Sequence, residues 1–233
     1  MSLLSYPRRP SLPNTLLVGL VALLGSNGCA FLDLRVHPPE PHELPALPPM
    51  GRGREVLVDI PFVDGRPDRS RCGMQKNGYN MDTASVICEV PPEQWLSHAL
   101  AQGLQRAGYR VLAPGATPGP TTIRVTGMVQ QFFVEPHVGF FLFTPEADIG
   151  VRLMVTSGTG LHAERAFYFK AREPALFGTE SKFQAAARAA TDDAVAGMVQ
   201  SITQLVDRYP DVGAPSAVVA SPVAMASSGE VSR

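Results

Sequence analysis

The chain has 233 residues, with 20 lysines and arginines against 21 aspartates and glutamates and a formal net charge of −1. No basic stripe or cluster breaks that balance, so nucleic acid is excluded as an expected partner. Hydrophobic residues make up 45% of the chain, enough for one buried core without support from metal ions.

At the N-terminus Arg8 and Arg9 precede an uncharged stretch whose apolar centre runs from Leu16 to Leu24, and Gly25, Ser26, Asn27 and Gly28 then lead to Cys29. Basic region, short apolar run and small residues is the order of a secretory signal. The run is about half the roughly 20 residues that cross a bilayer, which makes a permanent spanning anchor the poorer reading. With cysteine at the cleavage point, residues 1–28 have the pattern of a lipoprotein signal. Cys29 is then the lipidation site and the first residue of the mature chain. Ser26 stands where such signals usually carry Leu, and an ordinary secretory signal with a chance cysteine is the competing reading. Proline on both sides of the arginine pair favours standard export over the twin-arginine route. Ala30, not Asp, follows Cys29, which resembles the sorting pattern of the outer membrane. The expectation is a palmitate-type acyl anchor in the outer membrane, with the body facing the periplasm; several chains together give stable anchoring at about 0.8 kcal/mol per buried methylene. Removing residues 1–28 removes two arginines and no acid, which takes the formal charge from −1 to −3.

Residues 29–53 read as acylated cysteine and proline-rich tether, since VHPPEPHELPALPPM from Val36 to Met50 disfavours regular helix or sheet. The domain is expected over 54–210. Val56, Val58 and Ile60 alternate as a first strand, and a polar stretch with a turn at Asn77-Gly78 follows. Ala84 to Val90 reads as a short strand that brings Cys88 to the sheet. In an oxidising compartment Cys72 and Cys88 most simply form a disulfide, with two free thiols as the alternative. Zinc is not expected, because there is no Cys-x-x-Cys and His37, His42, His98, His137 and His162 are scattered.

Pro91-Pro92-Glu93 opens a helix. Its apolar face is Trp95, Leu96, Ala99, Leu100, Leu104 and Ala107, and Gly108 ends it. Tyr109 to Ala113 reads as a strand and Pro114 to Pro120 as a loop. Thr121 to Val134 is a longer strand with Ile123, Val125, Val129 and Phe133 on one face. Ala147 to Thr156 alternates most clearly, and Gly158-Thr159-Gly160 turns it into Leu161 to Arg172 as a hairpin. The last helix starts near Thr179 or Ser181, where Ser181 and Gln184 have capping-box spacing, and runs to about Tyr209. Its alanines predict close packing on a sheet. Residues 211–233 are Ala-, Ser- and Gly-rich and read as a disordered tail. The order predicts an α+β fold: an antiparallel-rich sheet with two helices packed on one face, in a single domain.

The stretches VDIPFVDGRPDRSRCGMQKNGYN, EQWLSHALAQGLQRAGYRVL and IRVTGMVQQF, followed by the hairpin and final helix, resemble the YajG-type family of bacterial outer-membrane lipoproteins. The resemblance covers most of 54–209 and includes the loop Asp64-Gly65-Arg66 and the segment Gly73 to Lys76. The Cys72/Cys88 pair, the proline tether and the tail depart from it. It implies an envelope lipoprotein without a defined biochemical activity.

No Gly-x-Ser-x-Gly elbow, phosphate-binding loop or His-Glu-x-x-His helix is present. Asp192-Asp193 reads as a solvated helix face and His98 as a partly buried structural histidine. Asp59, Asp64 and Arg66 form the best polar cluster, with a loop-ordering ion pair as the plainer reading. Five phenylalanines lie around a hairpin end, at Phe132, Phe133, Phe140, Phe141 and Phe143. Core packing is one reading; a partner-binding patch at Phe140, Phe141 and Phe143 is the other. The expected function is a non-enzymatic, membrane-anchored envelope lipoprotein with a protein partner, neither cofactor nor metal being needed. The alternative is a periplasmic ligand-binding protein or hydrolase using the Asp64/Arg66 loop.

Overall fold

Among the described residues, strands β1 (Leu34–Val36), β2 (Glu55–Val58), β3 (Val63–Asp64), β4 (Gly73–Lys76) and β5 (Asp82–Cys88) precede helix α1 (Pro92–Arg106). Strands β6 (Arg110–Val111), β7 (Ile123–Val138), β8 (Phe143–Thr156) and β9 (His162–Arg172) follow, and helix α2 (Glu180–Val206) is last. The computed structural model describes residues 32–40, 43, 44, 46–139, 143–175 and 178–214.

β7 organises the sheet. One edge pairs antiparallel with β8 from Arg124–Thr156 to Val138–Phe143, and β9 continues the meander on the far side of β8. The other edge receives β2, β3 and β4 in succession, all parallel. β5 pairs antiparallel with β4, β1 runs parallel to β5, and β6 runs parallel to β2. The sheet is mixed but mostly antiparallel, with two helices in one domain, so the expected α+β class is the observed one.

A single cross-strand row shows that both helices lie on the same face. Phe132, Ile149 and Phe169 are register partners across β7, β8 and β9. Trp95 of α1 packs on Phe132 with the rings tilted at 53° and their centroids 5.0 Å apart, and Gly197 of α2 lies against the Phe169 ring. Between the helices, Gly103 of α1 meets Val195 of α2. The expected apolar stripes are the buried ones: Trp95, Leu96, Leu100 and Leu104 on α1, and Phe183, Ala187, Ala190, Ala194 and Met198 on α2. Small side chains on α2 let it lie close to the sheet.

Several expectations change. A bulge at Gln130 shifts the β7 register, so Phe132, not Phe133, joins Val125 and Val129 in the core. The 67–81 stretch contains a strand, β4, because Gly73 lets the backbone approach Val134; a Cβ built there would lie 1.9 Å from the Val134 carbonyl oxygen. The capping box does not form. Thr179 is the N-cap, without a side-chain cap bond, and Gln184 instead binds residue 37.

The largest correction concerns the tether. Leu34–Val36 forms a sheet strand, and the chain beyond it lies on the helices. Gln184 holds the His37 backbone from both sides, accepting from its N–H at 2.9 Å and donating to its carbonyl at 2.7 Å. Glu43 pairs with Arg188 at 2.8 Å, Leu44 is buried, and the N–H groups of Met50 and Gly51 donate to the Ala107 carbonyl. Prolines suit this path because it needs few backbone donors. Residues 211–214, expected in the tail, belong to the fold. Val212 is buried, Gly213 accepts from Glu55 N–H and donates to the Thr121 carbonyl, and residues 215–233 lie outside the described residues. The compact unit therefore starts at Asp33, not at residue 54.

Candidate functional site

The loop between β3 and β4 carries the polar cluster singled out in the sequence. Arg66 folds back on Asp64 as a fork: Nε donates to Oδ1 and Nη2 to Oδ2, both at 3.1 Å. The Arg66 backbone N–H also donates to Oδ1 at 3.0 Å, and Nη1 donates to the Arg71 carbonyl. The Arg66 and Asp64 side chains are 5% and 15% exposed. Burial pushes the Asp64 carboxyl upward, but the hydrogen bonds from Arg66 and the charges of Arg66 and Arg69 outweigh it and hold the group below its ordinary value. Asp68 is also held low, first by the Ser70 hydroxyl and amide and then by Arg71. The Cys72–Cys88 disulfide ties the end of the loop to β5, with Cα atoms 5.7 Å apart. The cluster orders the loop.

A shallow pocket of about 360 Å³ lies beside this loop, bordered by Asp64, Arg66, Arg71, Glu89 and Glu93. Asp64 and Arg66 are hydrogen-bonded to each other, and the Ser70 hydroxyl donates to Asp68 at 2.6 Å. Asp59 belongs elsewhere, paired with Arg124 at 2.9 Å. The three cluster residues are therefore not one site.

A second groove, of about 430 Å³, runs between the docked segment and α1, with His37, Glu40, Glu89, Trp95 and His98 in its walls. His98 is exposed, not partly buried, and its Nδ1–H donates to the Gln94 carbonyl at 2.8 Å. Asp192 is half-buried near Arg188 and Glu43, and burial raises its carboxyl. Only Asp193 of that pair is on a solvated face.

Of the hairpin phenylalanines, Phe140 and Phe141 lie outside the described residues. Phe143 is half-buried, with its ring 6.0 Å from Phe183 and its backbone paired with Ala175, so it contributes to packing. Cys29 also lies outside the described residues. The face of the sheet away from the helices carries charged rows that the sequence reading did not connect. Glu146 binds Lys170 and Arg172, and Asp148 accepts from Tyr168 at 2.6 Å. Burial raises Glu146, but these two cations outweigh it and hold the carboxyl low. Period-two alternation put these residues on one face; only strand register pairs them.

Strand β9 pairs with β8 over its 11 residues, and among the described residues no strand pairs with its other edge. No group of three or more His, Cys, Asp or Glu among the described residues is placed to hold a metal ion. No described helix is long and apolar enough to cross a membrane.

No family model and no curated protein matches this sequence. Among solved structures, the chain is similar to protein XCC0632 from Xanthomonas campestris at 14% identity and a TM-score of 0.47, over 76% of this chain and 96% of that one. A minor lipoprotein from Acinetobacter baumannii matches at 9% identity and a TM-score of 0.33, over 67% and 93% of the two chains. Lipoprotein GNA1162 from Neisseria meningitidis matches at 12% identity and 0.31, over 66% and 99%. At these identities and scores the likeness bears on no residue's role.

Proposed function

We propose that this chain is a non-enzymatic envelope lipoprotein, acylated at Cys29, anchored in the outer membrane and facing the periplasm, where it binds a protein partner in assembly or transport. The signal pattern ending at Cys29 supports the anchor, and the Cys72–Cys88 disulfide supports an oxidising compartment. The resemblance to the YajG-type family belongs to the same proposal.

The observation that carries the binding reading is the edge of β9 that no described strand pairs. An edge of 11 residues offers main-chain donors and acceptors to an incoming strand. Glu164, Arg165, Lys170 and Arg172 along it discourage indiscriminate pairing and select a partner by charge. Phe140 and Phe141 are kept as a second proposed contact on sequence grounds. Photo-crosslinkers placed at Arg165 and at Phe140 in native envelopes test the proposal. A discrete adduct at Arg165 that Phe140→Ser with Phe141→Ser leaves unchanged assigns the contact to the edge. Loss of that adduct in the double variant brings the phenylalanines into the contact. Absence of adducts at both positions overturns the binding function.

A further inference from the structure

The direction in which β1 enters the sheet limits which end of the sheet the chain before Asp33 can reach. Asp33 accepts from the Ser85 N–H at 2.9 Å, and Leu34, Val86, Gly73 and Val134 lie on one row across β1, β5, β4 and β7. An extended chain advances at most about 3.3–3.6 Å per residue, so Cys29, four positions before Asp33, can be no more than about 14 Å from it. From Val134 the sheet runs four residues one way, to the Val138–Phe143 end, and ten residues the other way, to Arg124–Thr156. At about 3.3 Å per residue the far end is roughly 33 Å from the row, beyond the reach of Cys29, whereas the near end is roughly 13 Å away.

The near end also carries the β4–β5 tip. Asn77 orders it: its side-chain Oδ1 accepts from the N–H groups of Tyr79 at 2.9 Å and Met81 at 3.1 Å, and its own N–H donates to the Met81 carbonyl. This turn projects two apolar side chains, Tyr79 at 86% exposure and Met81 at 56%. Beside them Lys76 and Glu135 neutralise each other at 2.6 Å, so the end has no strong charge of either sign from that pair. The 157–160 turn at the far end has no aromatic or large apolar side chain.

We propose that the Asn77–Met81 tip rests in the headgroup layer of the membrane that holds Cys29, with Tyr79 and Met81 inserted at the interface. The inference depends on acylation of Cys29. Tyrosine suits that layer, which is about 5–7 Å thick on each side, because its ring is apolar and its hydroxyl remains wet. Two side chains make a weak contact alone, but a tether of a few residues holds them at high effective concentration. The domain sits on the bilayer with the sheet end-on, rather than standing off on a proline spacer. Because the contact is apolar, it forms on zwitterionic as well as anionic lipid.

The test uses the full mature chain, acylated in vivo and reconstituted in phosphatidylcholine vesicles. An environment-sensitive fluorophore is placed at Tyr79→Cys or, as the far-end control, at Thr159→Cys; the disulfide and the acylated Cys29 leave one thiol to label. The label at 79 is expected to be blue-shifted, quenched by lipid-borne nitroxide and several-fold less accessible to aqueous iodide than the label at 159. Equal iodide access at the two positions on a chain shown by mass spectrometry to be acylated overturns the placement alone. An unmodified Cys29 overturns the anchor and the placement together. Shielding at 79 that rises with protein concentration without vesicles places a second copy there and overturns the membrane contact.

Discussion

Asp64 and Arg66 show how two residues visible as a cluster act once folded. The pair is nearly sealed from solvent; Arg66 donates twice to Asp64 from its side chain and once more to the Arg71 carbonyl. The folded-state value of Asp64 lies below the ordinary 3.8 of an aspartate. Its contribution to stability is therefore complete above 3.8 and is lost as pH falls through the lower folded value. Asp64→Asn is expected to cost about 2 kcal/mol at pH 7, as for a hydrogen bond to a charged group. The difference from wild type should shrink as pH falls below 3.8, and urea unfolding at pH 7 and at pH 2–3 checks it. A difference that does not change with pH would assign the effect to packing.

At the scale of elements, the proline-rich segment was the hardest stretch to read. Its composition argues against helix and sheet, and most of it is neither; composition cannot show that such a chain is docked. Docking depends on partners far away in sequence, with Gln184 on His37, Arg188 on Glu43 and Ala107 on Met50 and Gly51. Gln184→Ala removes two hydrogen bonds at once and should cost about 1–3 kcal/mol. Amide hydrogen exchange at His37 should accelerate while core amides on β8 remain protected; unchanged protection at His37 would show that the segment is held without Gln184. The β7 bulge belongs to the same class. Alternation read without it assigns Phe133 to the core, and one extra residue at Gln130 exchanges it for Phe132.

For the molecule as a whole, the disulfide joins the early strands to one another. Its partners are 16 residues apart, comparable to a loop whose closure is worth about 3 kcal/mol. Cys72→Ala with Cys88→Ala should lower the unfolding free energy by about that amount. Far-UV circular dichroism should be retained: Cys72 is buried in the core and Cys88 packs against it, but the pairing of β7 with β8 and the two helices are built from other residues. If the double variant loses its folded spectrum, the loop and β4 are part of the folding core. The proposed end-on seat on the membrane also belongs to this scale, because it depends on the direction in which β1 enters the sheet.

The two amphipathic helices, the β8–β9 hairpin and the α+β class are determined by the sequence itself, because their apolar spacing matches the period of the element that forms. The candidate anchor is also a sequence feature, since an export signal is read as a linear pattern. Only the tertiary structure decided that β3 and β4 are strands, because two- and four-residue segments have too little periodicity to register and exist through pairing, β3 with β7 and β4 with β5 and β7. It alone decided that the polar loop is closed on itself, that β9 has an edge no described strand pairs, and that the N-terminal segment is bound. Each of these depends on contacts between residues far apart in the chain, and local spacing carries no record of them.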